Sequence, residues 1–263
     1  MTDALLIRRD AGSIARLTLN APQSLNALSD AMLAALAATF TALATDSTIR
    51  VVILQGAGKA FCAGHHLREM QVGRAQADQG RAYFADLFQR CAAVMQMIPA
   101  LPQPVIAQAH GIATAAGCQL VASCDMAVAA SDTKFGVNGV NIGLFCSTPM
   151  VALTRNVPRK AAFEMLTTGQ FINAPRAADL GLINRHVAPE ALDRETQSLA
   201  ETLAAKLGPA LRIGKRAFYD QLTMPLADAY DHTAAVMVEN MLWRDTDEGI
   251  TAFLEKRAPD WKT

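Results

Sequence analysis

Residues 104–130 of the chain read PVIAQAHGIATAAGCQLVASCDMAVAA, and this stretch decides the fold class. Residues 104–109 predict a short buried strand, which His110 and Gly111 bring to an end. Residues 115–124 predict a buried helix, and residues 125–130 predict the next strand. A strand, a helix and a second strand in succession are typical of parallel strands joined by a helical crossover. The stretch therefore predicts an α/β fold with largely parallel strands.

The flanking sequence extends this pattern in both directions. Ser29 is a favourable N-cap for a helix that runs to about residue 44, and Asn173 caps a second, shorter helix. Further strands are predicted at residues 13–20, 49–55 and 182–187, and further helical patterns at residues 77–98 and, in four stretches, from 189 to 256. Since no linker separates these parts, we interpret the mostly helical C-terminal part as an appendage to a single domain.

The composition excludes several classes of protein. The chain has 263 residues, with 24 basic and 24 acidic side chains, so its formal net charge of zero gives no electrostatic reason to expect nucleic acid as a partner. The most apolar region, residues 91–130, is interrupted by prolines and glycines, and no run of about 18 apolar residues predicts a membrane span. We therefore expect no membrane partner.

The cysteines and the N-terminal sequence bear on the cellular compartment. Five cysteines, an odd number scattered through apolar sequence, predict free buried thiols in a reducing compartment. The first residues, MTDALLIRRDAG, lack the apolar segment of a secretory signal. Together these features predict a cytoplasmic location.

The segment that contains the candidate site has few charged residues. Between residues 91 and 154 only Asp125, Asp132 and Lys134 are formally charged. One interpretation is that this segment belongs to a core in which both faces of a sheet are covered. The other depends on glycine-containing turns at residues 58–67 and 116–117, which lie where strands lead into helices and where backbone N–H groups are free. Two such turns can direct two N–H groups at one carbonyl oxygen and so form an oxyanion hole.

Other chemical motifs are incomplete. The glycines around residues 56–61 lack the third glycine of a dinucleotide fingerprint and the Ser or Thr of a P-loop. The chain has no G-x-S-x-G, H-E-x-x-H or paired C-x-x-C motif. His65 and His66 are adjacent, so that on a regular element their side chains diverge, and we expect no metal site.

Several blocks in the same order resemble those of the enoyl-CoA hydratase/isomerase (crotonase) family. They are PQSLNAL at residues 22–28, GKAFCAG at 58–64, AAGCQL at 115–120 with CD at 124–125, FG at 135–136, and the C-terminal stretch from 248 to 257. The resemblance extends over essentially the whole chain. Residues 119–129, 139–149 and 157–160 are most similar to the branch called enoyl-CoA hydratase domain-containing protein 3.

The resemblance implies a fold and an assembly. The fold is a crotonase-like spiral of ββα units, in which residues 1–190 form the acyl-CoA-binding core. Residues 191–263 are the C-terminal helical region used in trimerisation, and the partner is a second copy of the chain in a homotrimer or a hexamer built as a dimer of trimers. The ligand implied is an acyl-CoA thioester. Coenzyme A then enters as part of the substrate, with no permanently bound cofactor.

The resemblance also implies site residues. The backbone N–H groups of His65 and Ala116 correspond to the donors of the oxyanion hole. Arg68 and, from a neighbouring subunit, Lys256 are expected near the phosphates of coenzyme A. The adenosine and pantetheine arm is expected along Ser24, Leu25, Ala27, Ala63 and Leu67.

The sequence departs from the family at the catalytic positions. Hydratases of this family use two glutamates, and the corresponding residues here are Gln119 and Gly139, neither of which transfers protons near neutral pH. The glycine pair before the first glutamate is replaced by two alanines, and the usual acidic residue after the first turn is His66. Since each positioned acid or base contributes about 10²–10⁴ in rate, we expect hydration to be weak or altered.

Three functions remain open at this point. The first is an acyl-CoA lyase or isomerase with a modified mechanism. The second is another reaction through a thioester enolate, such as decarboxylation, with His65 or His66 as the proton donor. The third is a non-catalytic acyl-CoA-binding or scaffold protein. Asn138 and Asn141 are candidates for hydrogen bonds to substrate or water, and Cys146 is predicted to be structural.

Overall fold

The computed structural model describes residues 4–262, which form two β-sheets surrounded by helices. The larger sheet has six strands in the order β1-β2-β3-β4-β6-β9: Leu6–Ala11, Ile14–Leu19, Val51–Gly56, Val105–Ala109, Met126–Ala130 and Arg185–Val187. Only the β1–β2 pair of this sheet is antiparallel, and the other four pairs are parallel. The predicted α/β class with largely parallel strands is confirmed.

The structure also contains a second sheet, which has three short strands. It contains β5 (Ile112–Thr114), β7 (Lys134–Gly136) and β8 (Ile172–Asn173), with β5 and β7 parallel and β7 and β8 antiparallel. The sequence patterns did not predict these strands. Elements of two or three residues owe their extended form to pairing with distant partners rather than to local periodicity.

Eleven α-helices connect and cover the sheets in the described part of the chain. They are α1 Asp30–Ala44, α2 Leu67–Arg74, α3 Arg81–Ala100, α4 Ala116–Ser123, α5 Pro149–Asn156, α6 Arg159–Thr168, α7 Ala174–Asp179, α8 Leu192–Ala204, α9 Gly208–Gln221, α10 Leu226–Met241 and α11 Arg244–Leu254. The predicted caps are present: Ser29 accepts from the Met32 N–H, and Asn173 accepts from the Arg176 N–H. None of these helices is long and apolar enough to cross a membrane.

Alternation along the strands divides the core into two layers. In β3, Val52 and Leu54 face the layer that contains the buried residues of α1, α3 and α4. Val51 and Ile53 face the opposite side, where Leu192 of α8 covers them. Because both faces are covered, the central strands are continuously apolar, as parallel sheets require.

A buried ion pair joins the C-terminal helices to this core. The Lys215 ammonium group in α9 donates to an Asp125 carboxylate oxygen at 2.7 Å and to the carbonyl oxygens of Ile98 and Gln103. Asp125 also accepts from the Val105 N–H. Asp125 is therefore a structural acceptor, and lysine is its cationic partner.

The helices beyond α9 are far more exposed. Helix α10 has sixteen residues, and none of them is buried. Helix α8, in contrast, belongs to the core through Leu192 and Ala200. The boundary at residue 190 and the role of the C-terminal region in trimerisation therefore stay predictions.

Candidate functional site

A cavity of about 300 Å³ opens between the turn after β3, the start of α4 and the segment that follows β7. The lining residues are Ala63, His65, Leu67, Met70, Phe88, Thr114, Ala115, Ala116, Asn138, Gly139, Ile142, Leu144, Phe145, Cys146, Ser147, Thr148 and Pro149. This set contains no Asp, Glu, Lys or Arg. The cavity is therefore largely apolar, with a few neutral polar groups, as is typical of small-molecule sites.

Backbone pairing brings the two glycine-containing turns together. Cys62 forms a parallel bridge with Ala113, and the Thr114 N–H donates to the Cys62 carbonyl at 3.0 Å. A Cβ atom on Gly117 would collide with the Cys62 carbonyl group, so this approach requires glycine. The turns predicted to form the site thus lie side by side.

The N–H groups of His65 and Ala116 are free at this junction. In the parallel bridge between Leu28 and His65, the Gly64 carbonyl and the His66 N–H bond to Leu28, so the His65 N–H is directed away from Leu28. Ala116 is the first residue of α4, where N–H groups have no intrahelical acceptor. Within residues 4–262 no backbone acceptor is found for either group, and both residues line the cavity.

Ala115 has a strained backbone just before these donors. Its φ and ψ are 49° and −118°, a conformation that L-residues rarely adopt. Its N–H donates to the Gly136 carbonyl at 2.9 Å, which ties the start of α4 to the second sheet. The strain is therefore located at the turn that orients the Ala116 N–H.

Within residues 4–262 the two ring nitrogens of His65 have no hydrogen-bond partner at normal hydrogen-bond geometry. Both nitrogens are buried, and the ring meets Phe88 edge to face with 5.6 Å between centroids. Burial lowers the pKa of the His65 imidazole below its ordinary value, because a low-dielectric environment disfavours the charged form.

The His66 side chain performs a structural task. Its Nδ1 accepts from the Glu69 N–H at 3.3 Å and so caps α2. The Glu69 carboxylate in turn accepts from the Asp30 N–H at 2.8 Å, which joins the starts of α1 and α2. His66 is not among the residues that line the cavity.

Gln119 and Gly139, the positions that the resemblance matches to the family's glutamates, differ in their placement. Gln119 is 5% exposed and does not line the cavity, and its Oε1 has no hydrogen-bond partner. Gly139 lines the cavity, and its N–H donates to the Cys146 sulfur at 3.3 Å. A Cβ atom at Gly139 would lie 2.9 Å from that sulfur and closer still to the Leu144 carbonyl oxygen. No side chain fits at residue 139 unless this segment moves.

The remaining candidates are Asn138, Asn141 and Cys146, and each has a different environment. Asn141 donates to the Gly169 carbonyl at 3.2 Å, so its amide has a structural partner. Asn138 lines the cavity and accepts through Oδ1 from the Thr114 hydroxyl at 2.6 Å. Cys146 is buried, and burial raises the pKa of its thiol above the ordinary value, in agreement with the predicted structural role. All five cysteines are free and buried, as predicted.

Only two of the residues expected along coenzyme A line the cavity. Ala63 and Leu67 line the cavity, and the Ala63 N–H donates to the Leu25 carbonyl at 3.0 Å, which places residues 24–28 beside this wall. Ala27 is buried, and Arg68 is exposed on α2. Lys256 follows α11 and is not a lining residue of the cavity.

Several lining residues were not predicted. Phe88 and Met70 come from helices α3 and α2, and Thr114 is the last residue of β5. Leu144 and Phe145 follow a short 3₁₀ turn after β7. An exposed apolar pair beside glycines is a signal that could have identified Leu144 and Phe145, but Phe88 reaches the site only through tertiary packing.

The fold and this site define a class of protein, and the sequence comparison agrees with it. Residues 9–263 match the sequence model of the enoyl-CoA hydratase/isomerase family. The chain belongs to this family, and the predicted crotonase-like fold is confirmed by the solved structures that it resembles.

Particular relatives place the chain within one branch of the family. It is 46% identical over 253 residues to the human enoyl-CoA hydratase domain-containing protein 3, covering 96% of this chain and 82% of that protein. The human crystal structure superimposes with a TM-score of 0.93 at 45% identity, covering 98% of this chain and 100% of that one. An enoyl-CoA hydratase structure from Mycobacterium smegmatis gives a TM-score of 0.95 at 53% identity, covering 99% and 100%. The predicted branch is confirmed.

The same relatives contradict the predicted cytoplasmic location. The proteins from human, Xenopus laevis and mouse are each named as mitochondrial. The prediction was wrong because its two arguments were weak. Free thiols do not distinguish one reducing compartment from another, and the lack of a secretory segment bears only on secretion.

Proposed function

We propose that this protein binds acyl-CoA thioesters and polarises the thioester carbonyl with the N–H groups of His65 and Ala116. The observation that carries the proposal is the pair of unpartnered main-chain donors at one apolar cavity. Such donors stabilise the negative charge that develops on a thioester oxygen as an enolate forms. Because they are fixed by the backbone, they need no reorganisation when the ligand binds.

The proton-transfer groups of an ordinary hydratase are absent from the cavity lining. No lining residue is a carboxylic acid, and the lining position that corresponds to the second glutamate is Gly139. Each oxyanion-hole donor contributes about 10²–10³ in rate, and each missing acid or base removes about 10²–10⁴. The proposed activity is therefore ligand binding with weak or altered turnover, rather than efficient hydration.

Coenzyme A reaches the cavity along the wall that contains Ala63 and Leu67. The apolar side chains on this wall suit the pantetheine arm, together with Ser24, Leu25 and Ala27 alongside. Arg68 is exposed on α2 and is the cation nearest in sequence to this wall, so we assign it to the phosphates. Lys256 contributes from a neighbouring subunit. Coenzyme A is part of the ligand, and no permanently bound cofactor is required.

A second copy of the chain is the proposed partner of the C-terminal helices. Helix α10 has no buried residue, and Leu226, Leu242 and Phe253 are each at least 76% exposed. Apolar exposure of this extent on adjacent helices is typical of subunit interfaces. We assign it to a homotrimer or to a hexamer of two trimers, which light scattering coupled to size-exclusion chromatography distinguishes from a monomer.

Enolate chemistry that uses His65 is the second candidate. The unpartnered ring nitrogens of His65 at the cavity favour it, whereas His66 is occupied as a helix cap. Decarboxylation requires a carboxylate in the ligand, and the lining offers it no cation. A His65→Phe variant keeps the backbone N–H, so turnover of malonyl-CoA that disappears in this variant would favour the second candidate.

Calorimetry and a hydration assay test the first candidate. Butyryl-CoA should bind with micromolar affinity and more tightly than free coenzyme A, because the acyl group fills the cavity. Loss of crotonyl-CoA enone absorbance should be slow in the unmodified protein. Equal binding of butyryl-CoA and coenzyme A would contradict the acyl site, and rapid hydration by the unmodified protein would contradict the assigned weakness.

Substitution with glutamate is expected to have different effects at residues 119 and 139. Gln119→Glu adds an acid without a change in size. Gly139→Glu should instead reduce butyryl-CoA binding, because its Cβ displaces the backbone at Leu144 and with it the cavity wall. Gly143→Ala is a matched control, since a Cβ atom there meets no neighbour within 4 Å, although the positive φ adds local strain.

A further inference from the structure

A second, smaller cavity lies at the amino ends of strands β3 and β4. Its volume is about 10 Å³, and its lining comes from the residues just before these two strands and from the start of α9. The strands are parallel, and the larger cavity lies beyond the carboxyl end of β3, so the two cavities are at opposite ends of the sheet. The lining includes Arg50, Gln103, Gly208 and Arg212, and the other four lining residues are apolar.

Gln103 contributes an unsatisfied hydrogen-bond acceptor. The residue is 3% exposed, and its Nε2 donates to the carbonyl oxygens of Leu43 at 2.8 Å and Asp46 at 3.0 Å. These two bonds fix the orientation of the amide, because only its NH₂ group can donate to both carbonyls. Within residues 4–262 the Gln103 Oε1 atom is buried and has no hydrogen-bond partner. Since an unpaired buried acceptor costs free energy, we expect a group with a donor proton at this cavity.

Two guanidinium groups and a helix N-terminus lie at the same cavity. A Cβ atom on Gly208 would lie 3.8 Å from Nη2 of Arg212 and 3.8 Å from Nε of Arg50, so both groups are close to one point. Gly208 is the first residue of α9, and the N-cap residue Leu207 provides no side-chain hydrogen bond. In the described part of the chain the N–H groups of Gly208 and Ala210 have no backbone acceptor. Guanidinium groups and a helix N-terminus together favour an anion.

The carboxylates around this region are engaged elsewhere. Lys215 donates to the Gln103 carbonyl at 2.8 Å, and its charge is compensated by Asp125 at 2.7 Å. The Asp46 carboxylate is paired with Arg8 at 2.6 Å. None of the described residues that line the small cavity is acidic. An anion at this position therefore meets positive charge without repulsion from the lining.

The acceptor and the cations together define one class of ligand. A water molecule satisfies Gln103 but brings no charge to the guanidinium groups. Sulfate and carboxylate groups carry no proton at neutral pH, so they pair with arginine but bring no donor to Gln103. Hydrogen phosphate and bicarbonate have both ionised oxygens and an O–H group. Because about 10 Å³ admits roughly one oxygen atom, the O–H group enters the cavity and the ionised oxygens stay at its mouth.

We propose that this cavity is a binding site for a small inorganic anion that carries an O–H group at neutral pH. Gln103 accepts from the O–H group, and Arg50 and Arg212 pair with the ionised oxygens. The first N–H groups of α9 add to the positive field. Residue 208 is glycine in this interpretation because a side chain there would occupy the space between the two guanidinium groups. The site is separate from the acyl-CoA cavity, so this inference and the proposed function can fail independently.

Isothermal titration of the unmodified protein with potassium phosphate, bicarbonate and sulfate at equal ionic strength tests the proposal. Phosphate or bicarbonate should bind at least about tenfold more tightly than sulfate, as expected for one hydrogen bond to a buried acceptor. The tighter of the two identifies the anion. Arg212→Gln should weaken its binding by about tenfold or more, through loss of a charge-assisted hydrogen bond. Arg216→Gln, one turn further along α9, is the matched control and should bind as the unmodified protein does.

A second pair of variants tests the space between the guanidinium groups. Gly208→Ala should weaken anion binding without loss of thermal stability, because alanine favours a helix. Gly214→Ala is the control in the same helix, since a Cβ atom there meets no neighbour within 4 Å. Equal binding of sulfate and phosphate would overturn recognition of the O–H group by Gln103. Absence of saturable binding with all three salts would show that the cavity holds water only. Binding that is unchanged in both Arg212→Gln and Gly208→Ala would place the anion elsewhere and overturn the site.

Discussion

Replacing Ala115 with glycine should stabilise the protein, which is the reverse of the usual effect of this substitution. Ala115 has φ 49° and ψ −118°, where an L-residue is strained by about 1–3 kcal/mol and glycine is not. Glycine also increases the conformational freedom of the unfolded chain, at a cost of about 0.4–1 kcal/mol. The net expectation is a gain of about 1 kcal/mol in the free energy of unfolding, or about 2–4 °C in melting temperature.

Urea unfolding of Ala115→Gly beside a matched control measures this effect. Ala38 is exposed in the middle of α1, so Ala38→Gly should lose about 0.5–1 kcal/mol. The two variants make the same chemical change, and only the backbone conformation at the site differs. If Ala115→Gly loses as much stability as Ala38→Gly, the strain at Ala115 is absent and the reasoning is refuted.

Three further predictions concern the ion pair, the C-terminal segment and the helix cap. Lys215→Met should lower the free energy of unfolding by about 3–5 kcal/mol in urea, because it leaves the buried Asp125 charge unpaired, and a loss below about 1 kcal/mol would contradict this. Hydrogen bonds from Arg257 hold the pKa of the Glu248 carboxyl at about 2. The ionised carboxylate therefore stabilises the folded protein fully above its ordinary pKa of 4.5, and this stabilisation should be lost as the pH decreases towards 2. Across that pH range the melting temperature of Glu248→Gln should decrease less than that of the unmodified protein, as thermal unfolding can measure. His66→Ala should lose about 0.5–1 kcal/mol by removing the α2 cap, whereas His66→Asp should not, and hydrogen exchange in α2 that is equal in both variants would contradict the cap.

Local signals in the sequence predicted much of the fold. The caps at Ser29 and Asn173 each act on an N–H group three residues away, so the helices that they begin were predictable. The strand, helix and strand of residues 104–130 were predictable for the same reason. The predicted helix at residues 77–98 instead begins at Arg81, since Gly80 adopts a left-handed conformation with φ 82° just before it.

The missed elements depend on distant partners. Strand β5 exists because Ile112 pairs with Lys134, and β8 because Ile172 pairs with Phe135. Helix α2 was not predicted: it begins at Leu67, where the predicted turn ends, and its cap, His66, is not one of the residue types that usually predict a helix start. Such elements have no periodicity that a short window can detect.

The site was predictable in part. His65, Ala116 and Gly139 do line one cavity, because the glycine turns that carry them follow neighbouring strands. Gln119 lies on the same helix as Ala116 but outside the lining, which depends on side-chain direction rather than on spacing. Thr114 and Phe88 reach the cavity through tertiary contacts that no local pattern encodes.

The crowding around Gly139 has an evolutionary consequence. One substitution alone cannot place an acid at that residue, because the Leu144 carbonyl and the Cys146 sulfur already fill the space that a side chain needs. The neighbouring segment would have to change first, and that change alone brings no catalytic advantage. An acidic side chain at residue 139 therefore requires at least two coupled substitutions, one at that residue and one in the segment that contains Leu144 and Cys146.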